Sequence, residues 1–274
     1  MIYALAALAL LVILYVLSLS SSGERRAQMK PYMEQYIAHR GFFNNKDVPE
    51  NSLKAFALAV QHGYGIELDV QLTADNKLVV FHDEELIRMC GAEGNLWQKT
   101  FDEIKDLRLL ETDEPIPLFE DVLNTVGGRV PLIVEIKSEG RYTDCSRLAN
   151  EMLKGYKGEF CVESFHPLVV RWFKKHSPHI VRGQLSTDHI KDGEKGGNVG
   201  RFLLSNMVFN FLSKPDFIAF NHEHKGMFSF KLCRKLYKPV TVAWTIKSEE
   251  QLENARDSFE VFIFDSFVPQ DRKM

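Results

Sequence analysis

The chain has 274 residues, of which 45% are hydrophobic, 11% aromatic and 26% charged. This composition predicts a folded protein with a sizeable core and excludes a disordered or fibrous chain. The 34 basic and 37 acidic side chains give a formal charge of −3, so the chain lacks the basic excess that binding to a nucleic acid backbone requires, and we expect no nucleic acid partner.

The N-terminus begins with an almost wholly apolar stretch over residues 2–19, and no charged side chain precedes Glu24. In a helix that rises about 1.5 Å per residue, such a stretch nearly spans a hydrocarbon core of roughly 30 Å. We therefore predict one transmembrane helix, with the anchor over residues 1–22. A cleaved signal peptide is the alternative, although the positively charged region that such peptides begin with is missing.

The polar segment that follows, residues 23–35, is predicted to be a juxtamembrane linker. Arg25, Arg26 and Lys30 lie in it, whereas only the α-amino group precedes the apolar stretch. Because positive charge is enriched on the cytoplasmic side of a membrane, this bias places the C-terminal domain in the cytoplasm. The expected protein is a single-pass membrane protein with its large domain held close to lipid.

The remaining residues, 36–274, are predicted to form one domain in which short apolar runs alternate with helical patterns. Strands that alternate with helices indicate a mostly parallel sheet. The helical candidates are 52–62, 101–107, 118–126, 144–153, 168–176 and 249–255. The strand candidates are 36–39, 66–70, 78–82, 132–136, 160–162, 180–185, 217–220, 240–245 and 261–264.

These strands fit an α/β fold of the TIM (β/α)8 barrel type, with one strand too many. The link over residues 73–77 is too short for a parallel crossover, which needs a dozen or more residues. Strands 66–70 and 78–82 are therefore predicted to form a hairpin, which leaves eight for the barrel. A doubly wound sheet is the alternative, and it also binds its ligands at the carboxyl ends of its strands.

The longest connection between predicted strands runs over residues 186–216. Its second half, 202–212, is apolar with helical spacing. Packing on the barrel is the main interpretation, and contact with a membrane or a lipid tail is the alternative.

Two acids interrupt the second predicted strand. Glu67 and Asp69 stand at i and i+2, so their side chains project from the same face. Two neighbouring carboxylates in an apolar run repel each other unless a cation compensates. Mg²⁺ or Ca²⁺ is the simplest cation for oxygen ligands alone, and a lysine or arginine partner is the alternative.

Glu135 and Lys137 repeat this pattern in the buried strand 132–136, where an acid is followed two residues later by a base. Glu135 is a candidate third metal ligand and Lys137 a candidate phosphate-binding residue. An internal ion pair between them explains the strand equally well.

Two histidines stand at predicted strand ends, where the catalytic groups of barrels lie. His39 is followed by Arg40, and His82 by Asp83. Two imidazoles suit phosphodiester cleavage, because one can remove a proton from the attacking hydroxyl while the other protonates the departing alkoxide. Arg40 offers a planar fork for phosphate oxygens.

Taken together, these motifs and their order resemble the glycerophosphodiester phosphodiesterase family. The resemblance runs from Tyr36 almost to the C-terminus. The matching segments are His39-Arg40-Gly41, Pro49-Glu50-Asn51-Ser52, Ala55-Phe56, Glu67-Leu68-Asp69-Val70, Thr73-Ala74-Asp75, Val79-Val80-Phe81-His82-Asp83, Ile116-Pro117-Leu118, Glu135-Ile136-Lys137, Ser164-Phe165 and Trp244-Thr245.

The resemblance implies a TIM barrel that hydrolyses glycerophosphodiesters, or substrates derived from lysophospholipids, to sn-glycerol 3-phosphate and an alcohol. It leaves open whether water or the 2-hydroxyl of the glycerol is the nucleophile. By residue, it implies Glu67, Asp69 and Glu135 as ligands of Mg²⁺ or Ca²⁺, His39 and His82 as the acid/base pair, Arg40 and Lys137 as phosphate-binding residues, and Trp244 and Phe165 as substrate contacts, with Trp244 on the glycerol side.

One departure lies in the last strand, where the family commonly has a threonine before the aspartate. Here Asp265 follows Phe264, which puts any contact from this strand in doubt. Three rival functions remain open: a lysophospholipase D-like enzyme, a phosphatidylinositol-specific phospholipase C-like enzyme, and an inactive lipid sensor or scaffold.

Overall fold

Eight parallel strands close into a barrel in the computed structural model, which describes residues 1–137, 141–193 and 196–270. Each barrel strand pairs in parallel with its neighbours. The first strand, β1 (Ile37–Ala38), pairs with both β2 (Gly65–Leu72) and β9 (Val261–Phe264), so the sheet is closed, unlike a doubly wound sheet. The predicted TIM barrel is confirmed. The strands are β1 (Ile37–Ala38), β2 (Gly65–Leu72), β3 (Leu78–Val80), β4 (Leu132–Ile136), β5 (Phe160–Ser164), β6 (Arg182–Ser186), β7 (Phe217–Asn221), β8 (Val240–Ile246) and β9 (Val261–Phe264).

The predicted hairpin is also present, because β3 pairs antiparallel with β2 and stays outside the parallel barrel. Helices follow the strands around the outside. Ser52 caps the helix that follows β1, Leu53–His62. Its hydroxyl accepts a hydrogen bond from the Ala55 amide, the usual role of a hydroxyl at a helix N-terminus. The helices are α1 (Ile2–Ser18), α2 (Lys30–Met33), α3 (Leu53–His62), α4 (Ile87–Cys90), α5 (Phe101–Ile104), α6 (Phe119–Val126), α7 (Tyr142–Leu153), α8 (Pro167–His176), α9 (Asn198–Ser205), α10 (Asn210–Ser213), α11 (Phe228–Tyr237) and α12 (Glu249–Ala255).

Alternation along the strands separates two cores. Ile66, Leu68 and Val70 of β2 point outward and pack with the helices. Ile133 of β4 and Cys161 of β5 belong to a second cluster, which fills the barrel near the amino ends of the strands. The next inward positions toward the carboxyl ends therefore face the mouth of the barrel.

The N-terminal helix is too short for the predicted role. α1 has 17 residues, about 25 Å at 1.5 Å per residue against a hydrocarbon core of roughly 30 Å. None of the helices in the described residues is long and apolar enough to cross a membrane. The predictions of a single-pass anchor over residues 1–22, a membrane localisation and a cytoplasmic domain behind that anchor are therefore wrong. The apolar run is longer than the helix, because its last residue, Leu19, follows the end of α1 and is buried in the core of the domain.

Residues 23–35 are packed on the barrel, unlike the predicted juxtamembrane linker. A short 3-10 helix, Arg26–Met29, leads into α2, and the side chains of Met29 and Tyr32 are buried in the inner cluster. Arg25 donates a hydrogen bond to Asp216 at 3.0 Å. This segment closes the amino end of the barrel. The predicted end of the domain at residue 274 lies outside the described residues.

The connection over residues 186–216 contains α9 and α10. Met207 is buried in the outer core, and α10 packs against α8, which agrees with the interpretation that this segment packs on the barrel. Residues 194 and 195 of this connection lie outside the described residues.

Candidate active site

The carboxyl ends of the strands surround one cavity of about 90 Å³. Seven of the nine predicted site residues line it. The other two, Asp69 and Lys137, contact each other, and Lys137 also contacts Glu135 of the lining. The alternation of inward and outward side chains explains this convergence, since each strand delivers an inward residue to the same end. The lining residues are His39, Arg40, Glu67, His82, Glu135, Glu163, Phe165, Leu185, Trp244, Thr245 and Ile263.

Three buried acids converge on one side of this cavity. Glu67, Asp69 and Glu135 each place a carboxylate oxygen within 4.8 Å of the others, and Asp69 lies opposite Glu135 in the pairing of β2 with β4. Burial raises the pKa of Glu67 well above its usual range, and the charges of Asp69 and Glu135 add to the rise. Burial also raises the pKa of Glu135 to about 7. The acids therefore repel one another as they stand.

Lys137 compensates only part of this charge. Its Nζ lies 2.9 Å from Asp69 and 2.9 Å from Glu135. Burial raises the pKa of Asp69, but the charges of Lys137, His82 and Arg40 together outweigh burial, so that this pKa lies well below its usual range. The internal ion pair that the sequence left open is thus present. It leaves Glu67 without a lysine partner among the described residues.

Arg40 lies between the acids and the solvent-facing rim. Its guanidinium donates to Glu50 at 2.6 Å and its backbone amide donates to Glu67 at 3.1 Å. Its buried Nε makes no hydrogen bond but lies 3.5 Å from Asp69 Oδ2, at ion pair distance. The backbone of Arg40 has a φ of 53° and that of Gly41 a φ of 83°. A Cβ at Gly41 would stand 2.8 Å from the Cβ of Ala55, so glycine is required for this tight turn.

The two predicted histidines have the same local design. His39 Nδ1 lies 2.8 Å from Asp265, and His82 Nδ1 lies 2.7 Å from Asp83. Burial lowers the pKa of His39 to about 4, although Asp265 opposes the change, and burial also lowers the pKa of His82. Both imidazoles are therefore neutral near pH 7. With Nδ1–H donated to a carboxylate, each turns the lone pair of Nε2 toward the cavity.

A network of charged side chains holds the second histidine, His82, in place. Asp83 and Glu50 both accept hydrogen bonds from Arg88, and Glu50 also accepts one from Arg40. The rim residues therefore fix His82 and Arg40 through one network.

Aromatic side chains form the other half of the cavity. Phe165 and Trp244 pack edge to face, with ring centroids 5.5 Å apart. The indole Nε1 of Trp244 is buried and has no hydrogen bond partner. This half is apolar apart from that donor and Glu163 of β5, which faces it from the strand beside Glu135.

The structure adds four residues that had no individual role in the predictions from sequence. Asp265 contacts His39 although its strand departs from the family pattern, and Asn51 donates to Asp69 at 2.8 Å. Glu50 and Asn51 stand in a matching motif, which was a signal for them. Glu163 was not predicted as a site residue because the predicted strand ended at residue 162, one position before it. Its separation of two from Cys161 would have placed it inside the barrel.

The family model that matches residues 39–226 is that of the glycerophosphoryl diester phosphodiesterase family. Among curated proteins, a glycerophosphodiester phosphodiesterase from Bacillus altitudinis is 36% identical over 170 residues, which cover 58% of this chain and 69% of that protein. One from Caldanaerobacter subterraneus is 39% identical over 160 residues, which cover 54% of this chain and 65% of that protein.

Solved structures share the barrel. A phosphodiesterase from Oleispira antarctica, solved in complex with the product sn-glycerol 3-phosphate, superposes with a TM-score of 0.68 at 22% identity, covering 85% of this chain and 92% of that one. A glycerophosphodiester phosphodiesterase from Parabacteroides distasonis gives a TM-score of 0.67 at 26% identity, covering 85% and 92%.

Proposed function

The chain belongs to the glycerophosphoryl diester phosphodiesterase family and is a phosphoric diester hydrolase, and from this premise we propose that it hydrolyses glycerophosphodiesters to sn-glycerol 3-phosphate and an alcohol, with a divalent cation and a histidine pair. The observation that carries the proposal is the meeting of three buried acids and two carboxylate-backed imidazoles at one cavity. Groups suited to the proton transfers, to the phosphate and to a cation all line this cavity or contact its lining.

The donor set fits Mg²⁺ or Ca²⁺. Glu67, Asp69 and Glu135 offer only carboxylate oxygens, which these hard cations prefer. The raised pKa values of Glu67 and Glu135 reflect burial and mutual repulsion, which a cation among the three would relieve. When bound, such a cation polarises a phosphoryl oxygen and stabilises the charge that develops on it.

The histidines supply the proton transfers. Each is neutral near pH 7 and presents Nε2 to the cavity, so either is suited to accept a proton from the attacking hydroxyl. The other has to be protonated first, and the negative charge of the bound phosphate favours that imidazolium form. It takes a proton from solvent and donates it to the departing alkoxide, while the base returns its own proton to solvent after the product leaves. Asp265 and Asp83 hold the two rings and stabilise the imidazolium form as it appears.

Arg40 and Lys137 are the proposed phosphate contacts. The Nε of Arg40 is a buried donor that makes no hydrogen bond and lies 3.5 Å from Asp69 Oδ2, and a phosphate oxygen at hydrogen bond distance would satisfy it. Lys137 is held at the edge of the cavity by two acids, and it also lines the adjoining cleft beside His82. The side chains of Arg40 and Lys137 both lie on the side of the cavity that holds the three acids. Trp244 and Phe165, on the opposite side, are the proposed contacts of the organic part of the substrate.

The test is release of sn-glycerol 3-phosphate from glycerophosphocholine by the purified chain, with Mg²⁺ or Ca²⁺ and with chelator. We expect release with the cation and loss of it on chelation, restored when the cation is added back. A chain that turns over lysophosphatidylcholine and leaves glycerophosphocholine intact would contradict the substrate, and full activity in chelator would contradict the cation.

A further inference from the structure

Glu163 is a fourth buried acid at the mouth of the barrel. It lies on β5 opposite Gly183 and beside Glu135, and the residue is only 2% exposed. Its side chain lines the same cavity as the histidines and Trp244. None of the roles proposed above uses it.

This carboxylate has an oxygen that the protein leaves unpaired. Glu163 Oε2 is buried and has no hydrogen bond partner, and the acid forms no ion pair within the described residues. Lys137 is engaged by Asp69 and Glu135. A buried carboxylate oxygen without a partner is costly in a folded protein, and such exceptions point to a group that is supplied from outside.

A second unpaired group lines the same cavity, and its chemistry is complementary. Trp244 Nε1 is a buried donor without an acceptor, whereas Glu163 Oε2 is an acceptor without a donor. A hydroxyl group both donates and accepts, so an alcohol is suited to satisfy both. A carboxylate or phosphate on the ligand offers only acceptors, so it would satisfy the indole N–H and leave Glu163 Oε2 without a donor.

The shape of the cavity restricts the alcohol. Its volume is about 90 Å³, room for a few water-sized groups. Phe165, Leu185 and Ile263 supply apolar walls for a carbon chain. A short polyol meets all of these conditions, because its carbons contact the walls while its hydroxyls reach the two unpaired groups.

We propose that Glu163, together with the indole N–H of Trp244, binds the free hydroxyls of the glycerol moiety and thereby selects phosphodiesters of glycerol over diesters without hydroxyls. This inference rests on the proposed function and adds to it a specificity residue on the floor of the pocket. The three acids that are grouped for a cation do not include Glu163, which separates its role from theirs.

The test compares Glu163→Leu with Glu163→Gln and with the matched control Glu159→Gln, an exposed glutamate just before the same strand. Calorimetry on the Mg²⁺-loaded chain measures the dissociation constants of sn-glycerol 3-phosphate and of inorganic phosphate. Loss of hydrogen bonds to a buried acid weakens binding by about 10-fold or more. We expect that loss for sn-glycerol 3-phosphate in Glu163→Leu, a smaller loss in Glu163→Gln, which retains an acceptor oxygen, and none in the control.

Inorganic phosphate and Ca²⁺ decide between the possible explanations. Inorganic phosphate has no glycerol, so its affinity should stay within about twofold of the wild-type value in both Glu163 variants. Equal weakening of phosphate and sn-glycerol 3-phosphate, or a weaker affinity for Ca²⁺ in Glu163→Gln, would overturn the proposal in favour of a role at the phosphate or the cation. Unchanged binding of sn-glycerol 3-phosphate in both variants would overturn it as well.

Kinetics separate this inference from the function on which it rests. The quantity to compare is the ratio of kcat/KM for glycerophosphocholine to kcat/KM for bis(4-nitrophenyl) phosphate. In Glu163→Leu this ratio should be lower than in the wild-type chain by about 10-fold or more. A wild-type chain inert on both diesters would contradict the proposed function. A wild-type chain active on glycerophosphocholine, with a ratio that Glu163→Leu leaves unchanged, would contradict only the role of Glu163. If Glu163→Leu does not fold, Glu163→Gln, which is isosteric, decides the question.

Discussion

Two layers of the barrel interior lie one pleat apart on the same strands and have opposite chemistry. In the layer near the amino ends, Ile133 and Cys161 pack in an apolar cluster. Two residues further along, Glu135 and Glu163 face the mouth as buried acids. A shift of about 7 Å along a strand therefore separates a packed core from a group of acids that repel one another.

The difference teaches where the stability and the chemistry of this barrel reside. Buried apolar side chains stabilise the fold by removal of their surface from water. Buried like charges oppose folding unless they are paired or bound to a cation. The lower layer should therefore tolerate little change in volume, whereas neutral substitutions in the upper layer should remove activity and leave the fold intact or more stable.

Glu67→Gln is the sharpest test of this contrast. It removes a proposed cation ligand, so we expect release of sn-glycerol 3-phosphate to fall by about 10³-fold or more, which corresponds to at least about 4 kcal/mol. Because burial and the neighbouring acids already raise the pKa of Glu67, the neutral isostere should melt at the wild-type temperature or above it in the presence of chelator. Glu120→Gln, on the outer surface, is the control. Full activity in Glu67→Gln would show that the three acids do not hold the cation.

Ile133→Ala tests the lower layer. Ile133 is fully buried, and truncation of such a side chain costs about 3 kcal/mol of unfolding free energy, or a melting temperature lower by about 10 °C. The kcat/KM of the folded variant should remain within about threefold of the wild-type value, measured well below its melting temperature. Ile133→Val should show about a third of the loss in stability. A large loss of activity without a loss of stability would mean that the two layers are not separate.

Asp265→Asn asks how far the upper layer depends on its supports. Asp265 accepts from Nδ1 of His39 at 2.8 Å, and an asparagine amide in its place no longer stabilises the imidazolium form. We expect kcat to fall by about 100-fold with KM nearly unchanged, because a positioning residue does not contact the substrate. A matched fall for Asp83→Asn would indicate that both rings take part. An unchanged kcat, together with an unchanged pH profile, would exclude the support role of Asp265.

The alternation of side chains made most of this arrangement predictable. A separation of two placed Glu67 and Asp69 together, and the short link after β2 predicted the hairpin that leaves eight barrel strands. The structure bears both out. The alternation of side chains along a strand predicts these positions well. Both faces of a barrel strand are buried, and a charged pair is accommodated only where it faces the mouth of the barrel.

The failures have equally local causes. Hydropathy over residues 2–19 does not reveal that Leu19 packs inside the domain, and the helix ends one residue earlier, at Ser18. The contact of Asp265 with His39 joins residues 226 positions apart, which only barrel closure brings together. Glu163 was missed because the end of a strand is the least certain part of a prediction from sequence.

Measuring stability as a function of pH can sharpen the comparison at the rim, where Glu50, unlike the acids of the upper layer, accepts hydrogen bonds from two arginines, Arg40 and Arg88. Burial alone raises the pKa of Glu50, but the hydrogen bonds from Arg88 and the charge of Arg40 lower it to about 2. A carboxyl whose pKa is lower in the folded state than its usual value of 4.5 contributes stability above pH 4.5 and loses it as the pH falls toward 2.

Glu50→Gln should therefore be less stable than the wild type by about 2 kcal/mol at pH 7, a figure reduced for the half-exposed Arg88, and the gap should close between pH 4.5 and 2. Urea unfolding at a series of pH values measures it, with Glu120→Gln as the exposed control that should show no gap. A gap that stays constant with pH would mean that Glu50 stabilises the rim through packing and hydrogen bonds, independent of its charge. In that case, a polar residue at the mouth of the barrel would stabilise the fold when it has hydrogen bond partners, whether or not it is charged.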